Sequence, residues 1–471
     1  MGSRPDFGKL SASAASAGIT MNTAFGYHVA RVAGRLRPRR QAPLPPEQQR
    51  GAGALGLSVI IPSRDGKELL RAQLPGIHED LAELAGEIIV VDNGSGDGTQ
   101  SWLQREWPDV QVEVSAEPLS FAAAVNRGIE RARYSHICLL NNDMLIQPRF
   151  FEQLGAAFDK IPDLFCATAQ IRFPAGVRRE ETGKAVMAQD SPEDFPLRCD
   201  EPITGEDLSW VLYGSGGCSV YDAGKLRALD GLDEVYEPAY VEDLDLGYRA
   251  WQRGWPTVYV DGAVVEHRHR ATTSRYYNEE ELERMMEINY LRFLARAVAD
   301  PKIFRSLWDQ AILRLRLRAD HSSSARAALA AAPAIAIQGG PPTPPAWPEE
   351  SFMALTNGSV AVFPGTGAED RPRLVVATPS LRSRAHAGDQ RDCVLVAYTD
   401  NLQRPPAELM GECAEVVLVR RAKGRDGNSV AFRAALLQTL RKWRPIEVRL
   451  ETQGMTRYVA DCGPAKIILA N

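Results

Sequence analysis

Two carboxylates that could bind a polar ligand follow apolar segments typical of buried strands. Asp92 comes directly after Glu87–Val91, and Asp143 follows Ile137–Leu140 after two asparagines. Either segment alone would indicate only a tight turn after a strand. Open α/β sheets, however, bind their ligands just beyond the carboxyl ends of their strands. The two together predict one ligand site, in which an acceptor-only carboxylate such as Asp92 can receive an N–H from a pyrimidine base.

A second pair of carboxylates, Glu242 and Asp243, precedes a predicted helix over 244–253. Acidic residues in a first helical turn often only oppose the helix dipole. The apolar residues of this helix share one face, so packing would hold the two carboxylates rigidly at the edge of a sheet. His267 follows a strand predicted over 255–260 and, by itself, could be an ordinary surface histidine.

A glycine-rich segment, Gly214–Cys218, follows the apolar run Trp210–Tyr213. Glycines in succession at a strand end either let the backbone approach a ligand closely or form a bulge or tight corner. Residue types alone leave both interpretations open.

The elements that must position these residues alternate between strand and helix. Strands are predicted at 57–61, 87–91, 110–114 and 137–140, with helices between them at 67–81, 100–107 and 121–133. This order predicts a parallel sheet with right-handed crossovers, a layout typical of nucleotide-binding folds. The chain has neither Gly-x-Gly-x-x-Gly opening a helix nor Gly-x-x-x-x-Gly-Lys-Ser/Thr, so dinucleotide and P-loop sites are not indicated.

Five motifs occur in a recognisable order: SVIIPSR at 58–64, IVVDNGSGDGT at 89–99, AVNRGI at 124–129, LLNND at 139–143 and VEDLDLGYR at 241–249. They resemble the ordered motifs of family 2 glycosyltransferases with the GT-A fold. The rhamnosyltransferase-like, non-processive branch is the most similar, and the resemblance covers about residues 57–300. It implies an α/β fold with the Rossmann-like mixed sheet of the nucleotide-diphospho-sugar transferases.

The resemblance implies a nucleotide site and a divalent metal, Mn²⁺ or Mg²⁺. Many relatives carry Asp-x-Asp where this chain has Asn-Asn-Asp, so Asp143 supplies the one carboxylate for the ion, and phosphate oxygens and water would complete its ligands. In similar enzymes a histidine after the strand at 255–260 is a second metal ligand. His267 is the predicted one, and His269 is the alternative if the register shifts by two. The predicted nucleotide-binding residues are Pro62, Ser63, Arg64, Asp92, Asn93, Ser95, Asn126 and Asn142, of which Pro62 and Asp92 would line the base and ribose.

The resemblance also implies which residues carry the chemistry. Asp243 is the predicted general base and Glu242 the neighbouring catalytic carboxylate. The predicted contacts of the donor sugar and the acceptor are Gly216, Gly217 and Trp210.

The implied reaction is a metal-dependent, inverting transfer of a hexose or deoxyhexose from a UDP- or dTDP-sugar to a glycan or lipid-linked saccharide. The alternative is a non-catalytic protein that binds sugar nucleotides or glycans on the same fold. A processive synthase is not indicated, because Gln252-Arg-Gly-Trp255 differs from the Gln-x-x-Arg-Trp motif of those enzymes.

Composition limits the classes of function. The formal net charge of -5 gives no indication of nucleic-acid binding. Seven cysteines without a Cys-x-x-Cys spacing predict neither a disulfide framework nor a zinc site, and they favour a reducing compartment. The sequence has no run of about 18 apolar residues and no signal-peptide pattern, so we expect a cytoplasmic location.

The length of 471 residues predicts more than one unit. Residues 1–56 are expected to form a flexible basic arm, with a weak peripheral anchor on anionic lipid at the inner face of the membrane as the alternative. Residues 57–320 form the predicted GT-A domain, and 321–372 a linker rich in Pro, Gly and Ala. Residues 373–471 are predicted to form a Rossmann-like α/β domain that faintly resembles the amino-terminal half of GT-B glycosyltransferases and has no active site of its own.

Overall fold

The structure of the protein is a computed structural model. It describes residues 54–174, 183–186, 194–268, 275–338, 345–366, 374–378, 393–421, 427–450 and 466–469. Within these ranges the strands form a nine-stranded, a six-stranded and a two-stranded sheet. Most of the predicted basic arm, at 1–53, and the alternative metal ligand His269 lie outside the described residues.

The elements of the first unit are, in chain order, β1 (Ala54–Ser63), α1 (Lys67–Leu81), β2 (Gly86–Asn93), α2 (Thr99–Glu106), β3 (Gln111–Ser115), α3 (Phe121–Arg131), β4 (Tyr134–Leu140), β5 (Met144–Ile146), α4 (Phe150–Lys160), β6 (Cys166–Arg172), β7 (Lys184–Val186), β8 (Arg198–Asp200), β9 (Ser209–Val211), β10 (Cys218–Asp222), α5 (Ala223–Ala228), α6 (Glu242–Gln252) and β11 (Thr257–His267). They are followed by α7 (Glu279–Ala297), α8 (Pro301–Arg318), α9 (Ser323–Gln338), α10 (Glu349–Thr356), β12 (Val360–Pro364), β13 (Leu374–Thr378), β14 (Cys393–Thr399), α11 (Ala407–Glu412), β15 (Cys413–Arg420), α12 (Gly427–Trp443), β16 (Glu447–Leu450) and β17 (Lys466–Leu469).

The large sheet has the order β3-β2-β1-β4-β10-β6-β11-β5, with β9 paired to β11. Strands β1 to β4 run parallel, and β10 is antiparallel to both β4 and β6, so the sheet is mixed. Strand β2 is buried along almost its whole length, as expected where helices cover both faces of parallel strands. The carboxyl ends of β1, β2 and β4 meet at one edge, where the predicted site residues stand.

Local capping explains where the helices begin. Ser120 accepts a hydrogen bond from Ala123 N (3.2 Å) at the start of α3, and Asn278 forms a capping box with Glu281 at the start of α7. The side chain of Asp300 caps α8, whose first residue is a proline that fits the opening turn. Each cap satisfies backbone N–H groups in the first turn of its helix.

The predicted linker at 321–372 is wrong for its described residues, because they are largely helical and packed. Alanines 325, 328 and 332 of α9 are fully buried between α7 and α8. Alanine is the strongest helix former and allows close helix packing, so the Ala-rich composition indicates a packed helix here and not a flexible chain. Strand β12 lies before the predicted boundary at 373, yet it pairs with β15 of the second sheet.

The predicted smaller C-terminal α/β unit is confirmed. Its sheet has the order β12-β15-β14-β13-β16-β17, in which every pair is parallel except β12 with β15. It contacts the first unit directly, since the Ser209 hydroxyl accepts from Val362 N (3.2 Å) and Asp207 N donates to Val362 O (3.1 Å). Among the helices that the structure describes, none is long and apolar enough to cross a lipid bilayer.

Candidate active site

The ends of β1 and β4 are joined by side chains that the sequence predicted to bind a nucleotide. Asn142, buried after β4, donates its side-chain amide to the Ser63 hydroxyl at the end of β1 (2.9 Å). A Cβ atom at Gly66 would lie 2.3 Å from both the Asn142 amide nitrogen and the Ser63 oxygen, so only glycine fits. This close packing fixes the ends of β1 and β4 against each other at the sheet edge.

The loops after β1 and β2 are held together through Asp65, a residue absent from the predicted set. Its backbone N–H donates to the Ser95 hydroxyl (2.9 Å), and its carboxylate accepts from Gly96 N (2.7 Å). Ser95 N in turn donates to the buried carboxylate of Asp92 (3.1 Å). The predicted residues Ser95 and Asp92 therefore share one hydrogen-bonded loop pair beside Pro62, which pairs with Val91 in the sheet register.

A distant segment covers these loops. The Tyr276 hydroxyl donates to the Asp65 carboxylate, Arg275 donates to Asp65 O (2.8 Å), and the Arg64 guanidinium lies 3.9 Å from the centroid of the Tyr276 ring. The hydrogen bond from Tyr276 lowers the pKa of Asp65, while burial and the same bond raise the pKa of Tyr276 to about 12. We call Arg275 and Tyr276 the latch; through Asp65 it is connected to the loops after β1 and β2.

The two predicted metal ligands meet, although 124 positions separate them. The backbone of His267 pairs with that of Met144 between β11 and β5, and Arg268 N donates to Asp143 O (2.9 Å). As a result His267 Nε2 lies 3.6 Å from Asp143 Oδ2. Two donors at this separation can contact one divalent ion, because each metal–ligand bond is about 2.0–2.2 Å long.

The donor set also agrees with an ion that keeps non-protein ligands. Within the described ranges, no group of three or more His, Cys, Asp and Glu side chains could hold a metal. A carboxylate and an imidazole leave several positions for phosphate oxygens or water, as Mg²⁺ and Mn²⁺ usually require. The residues present therefore fit an ion that binds together with a diphosphate.

Glu242, which is buried, and Asp243, which is partly buried, form a pair of carboxyl groups at the start of α6. Asp243 accepts hydrogen bonds from Leu244 N (2.8 Å) and Gly216 N (3.3 Å), whereas Oε2 of Glu242 is buried without a hydrogen-bond partner. Burial and the neighbouring Asp243 raise the pKa of Glu242 to about 8, and burial also raises the pKa of Asp243. The two backbone N–H groups stabilise the charged form of Asp243, whereas burial and the adjacent carboxyl group favour the protonated form of Glu242.

Gly216 and Gly217 connect the carboxyl pair to the Asn-Asn-Asp segment. Gly216 N donates to Asp243, and Gly217 O accepts from Asn141 N (2.9 Å). A Cβ atom at Gly217 would lie 2.5 Å from the Asn141 side-chain nitrogen. The missing side chain at Gly217 leaves room for Asn141, and the two glycines connect the carboxyl pair to the Asn-Asn-Asp segment.

Comparison with known proteins decides what kind of domain carries this site. Residues 54–284 match the family model described as "Glycosyltransferase like family 2". These residues form a family 2 glycosyltransferase domain. The observed mixed sheet and the family match together confirm the predicted GT-A fold.

The glycosyltransferase domain also has distant relatives of known sequence. The chain is 27% identical over 290 residues to the uncharacterized protein y4gI of Sinorhizobium fredii, a match that covers 58% of this chain and 32% of that protein. It is 26% identical over 214 residues to the N-acetylglucosaminyl-diphospho-decaprenol L-rhamnosyltransferase of Mycobacterium tuberculosis, covering 40% of this chain and 68% of that enzyme. The match therefore spans about a third of the first relative and about two thirds of the second.

Solved glycosyltransferase structures resemble the chain more weakly. GalNAc-T7 with UDP, GalNAc and Mn²⁺ is 17% identical with a TM-score of 0.41, covering 51% of this chain and 48% of that one. TarS 1-349 of S. aureus with UDP-GlcNAc is 13% identical with a TM-score of 0.40, covering 57% and 74%.

Three predicted residues of the glycosyltransferase domain have other roles. Trp210 is only 3% exposed and lies in the core on β9, where a sugar cannot reach it. The Asn126 side chain bonds Leu232 N (3.0 Å) and O (2.9 Å), and Asn93 likewise bonds Leu119 N (2.7 Å) and O (3.0 Å). Their amides stabilise turns beside the site, which residue type and motif position did not reveal.

The contact between Asp65 and Tyr276 is the part of the site that the sequence did not predict. Asp65 directly follows the first motif, so adjacency could have indicated it. Tyr276 lies 211 positions further on and carries no pattern of its own. Only the three-dimensional fold brings these two residues together.

Proposed function

We propose that the protein is a metal-dependent, inverting glycosyltransferase that moves a sugar from a UDP- or dTDP-sugar to a saccharide or lipid-linked saccharide acceptor. The observation that carries this proposal is the presence of two chemically different groups in one site. Asp143 and His267 lie 3.6 Å apart, and the carboxyl pair Glu242–Asp243 reaches the same segment through Gly216 and Gly217. The first group suits a leaving diphosphate, and the second suits an attacking hydroxyl.

Asp143 and His267 would hold the Mn²⁺ or Mg²⁺ ion. When bound, such an ion neutralises negative charge on a diphosphate as its bond to the sugar breaks. Arg275, which contacts Asp65 O, and Arg268, next to His267, add positive charge on the same side. These side chains favour departure of the nucleoside diphosphate.

Asp243 would act as the general base. The acceptor hydroxyl oxygen forms a bond to the anomeric carbon, its proton passes to the Asp243 carboxylate, and the bond to the diphosphate oxygen breaks with its electron pair. Attack on the face opposite the leaving group inverts the anomeric configuration. A positioned base of this kind typically contributes a factor of about 10²–10⁴ to the rate.

The uracil or thymine base is favoured by Asp92. Its carboxylate accepts a hydrogen bond from Ser95 N and is an acceptor only, so it can receive the ring N–H of uracil or thymine. The name of the mycobacterial relative specifies a lipid-linked saccharide, and we extend that class of acceptor to this chain as part of the proposal.

The carboxyl pair also argues against a protein that only binds glycans. Burying one oxygen of Glu242 without a hydrogen-bond partner, beside the carboxyl group of Asp243, costs stability. A protein that only binds glycans does not need this unfavourable arrangement. A general base does need the raised pKa that burial produces.

Thermal unfolding with nucleotides tests the donor and metal parts of the proposal. UDP or dTDP should raise the melting temperature in the presence of Mn²⁺ and not in EDTA, because a ligand that binds the folded state stabilises it. Asp143→Ala should abolish this shift while Asp109→Ala, an exposed carboxylate, should preserve it. An equal shift with and without the metal would refute the proposed role of Asp143.

A further inference from the structure

The turn that leads into Glu242 and Asp243 has a backbone conformation that L-residues rarely adopt. Tyr240 and Val241 have φ angles of 75° and 81°, both in the left-handed region. For a β-branched residue such as Val241 this conformation is a clear outlier, and it persists only where surrounding contacts maintain it. No side chain caps the start of α6, so the contacts must come from elsewhere.

Those contacts come from Asn289 on α7. Its side chain is fully buried, and its amide nitrogen lies 3.0, 2.9 and 3.2 Å from the carbonyl oxygens of Tyr236, Ala239 and Tyr240. Its amide oxygen accepts from Arg292 (2.9 Å), which also donates to Val235 O (2.9 Å). One buried amide thus holds the backbone of the turn at three points.

The turn is connected directly to the proposed base. The carbonyl of Val241 accepts the first helical hydrogen bond of α6, from Asp245 N (3.0 Å), and Asp243 lies between these two residues. Asp243 must also stay within reach of Gly216 N, which donates to it at 3.3 Å. Rotation of the turn would therefore move the carboxylate of Asp243 away from Gly216.

We propose that Asn289 is a positioning residue that orients the Asp243 carboxylate by holding the left-handed turn at Tyr240 and Val241. The inference rests on the proposed function, because it assigns Asn289 an effect on turnover through Asp243. Asn289 does not touch the nucleotide loops or the metal ligands, so its effect should fall on the chemical step and not on donor binding.

Steady-state kinetics of the full chain with the donor identified by thermal unfolding test this role. Asn289→Ala should lower kcat by up to about 10²-fold, the cost of misplacing a reacting group by about 1 Å, while the donor KM stays within about twofold. The matched control is Gln252→Ala. That residue also donates its amide to a backbone carbonyl, Ala297 O (2.7 Å), but at the far end of α6. The Gln252→Ala variant should lower the free energy of unfolding and leave kcat unchanged.

A double-variant cycle shows whether Asn289 acts through Asp243. In an Asp243→Asn background, Asn289→Ala should produce little further loss of kcat, because the group that it positions no longer accepts a proton. Losses that multiply, or a rise in donor KM with kcat unchanged, would overturn the positioning role and leave the proposed function standing. Normal turnover of Asp243→Asn alone would overturn both. If Asn289→Ala does not fold, Asn289→Ser, which keeps one hydroxyl donor, is read by the same criteria.

Discussion

Two adjacent carboxyl groups with different surroundings underlie the proposed chemistry at the scale of single residues. Asp243 receives two backbone N–H groups, which stabilise its charged form, whereas Glu242 has a buried oxygen without a partner. Two negative charges this close repel each other, so ionising the second carboxyl group costs more free energy than ionising the first. The sequence Glu-Asp alone does not reveal this difference, which comes from the position of Gly216.

Replacing the proposed base should separate catalysis from binding. Asp243→Asn should lower kcat by about 10²–10⁴-fold and leave the donor KM nearly unchanged, because the amide cannot take the hydroxyl proton. Asp230→Asn, an exposed carboxylate, serves as the control. NMR of the product should show an inverted anomeric configuration. A retained configuration would exclude Asp243 from this role.

The raised pKa of Glu242 makes stability depend on pH. The folded protein binds this proton up to about pH 8, while the unfolded chain releases it near pH 4.5, so the free energy of unfolding falls as pH rises between these values. Glu242→Gln removes the ionisation. The melting temperature of the variant relative to wild type should therefore increase from pH 5 to pH 8. A difference as flat as that for the exposed Glu83→Gln would contradict the buried proton.

At the scale of elements, the candidate site lies at the carboxyl ends of β1, β2 and β4. The latch contacts the loop after β1 through Asp65. This arrangement depends on the chain crossing back from β11 to the loops after β1 and β2. The Tyr276 hydroxyl bond to Asp65 and the Arg64–Tyr276 contact hold the two loops together, so the proposed nucleotide would meet loops that are already ordered. Pre-organisation lowers the entropy lost on binding and so acts on affinity.

Removing the latch hydrogen bond should weaken donor binding selectively. Tyr276→Phe keeps the ring under Arg64 but loses the bond to the Asp65 carboxylate. We expect the donor KM to rise by about tenfold, in line with one hydrogen bond to a charged group, with a smaller change in kcat. The adjacent Tyr277→Phe is the control. An unchanged KM in Tyr276→Phe would mean that the latch does not contribute to the donor site.

The sequence predicted the parts of the fold that are encoded locally. Apolar runs predicted β1, β2 and β4, and the structure contains these strands with Ser63, Asp92 and Asp143 at or just beyond their carboxyl ends. Open α/β sheets bind ligands at such strand ends. It could not predict contacts between distant segments. Asn93 and Asn126 have the right type for a nucleotide site, but nearby backbone groups use their amides, and only the folded chain shows those neighbours.

At the scale of the whole molecule, the segment predicted to be a linker supports the helix that carries the carboxyl pair. Phe352 of α10 stacks on Trp251 of α6 (6.1 Å between centroids, 18°) and meets Tyr248 edge-on (5.0 Å). Glu349 accepts from Ala299 N (2.7 Å) and from the Gln252 amide (2.8 Å). The packed face of α6, which the sequence predicted, is therefore covered by residues that lie about 100 positions away.

This packing predicts that the glycosyltransferase domain cannot be cut at its predicted end. A chain ending at residue 320 would expose Trp251 and Tyr248, both fully buried in the intact protein, and should be insoluble or melt far below the full chain. Phe352→Ala tests the same contact without truncation. It should lower the free energy of unfolding in urea by about 3–5 kcal/mol, the usual loss for a buried phenylalanine. Leu313→Ala, at a side chain that is 50% exposed, should change it by no more than about 0.5 kcal/mol. A stable, soluble chain ending at residue 320 would contradict this argument and support the separable domain that the sequence predicted.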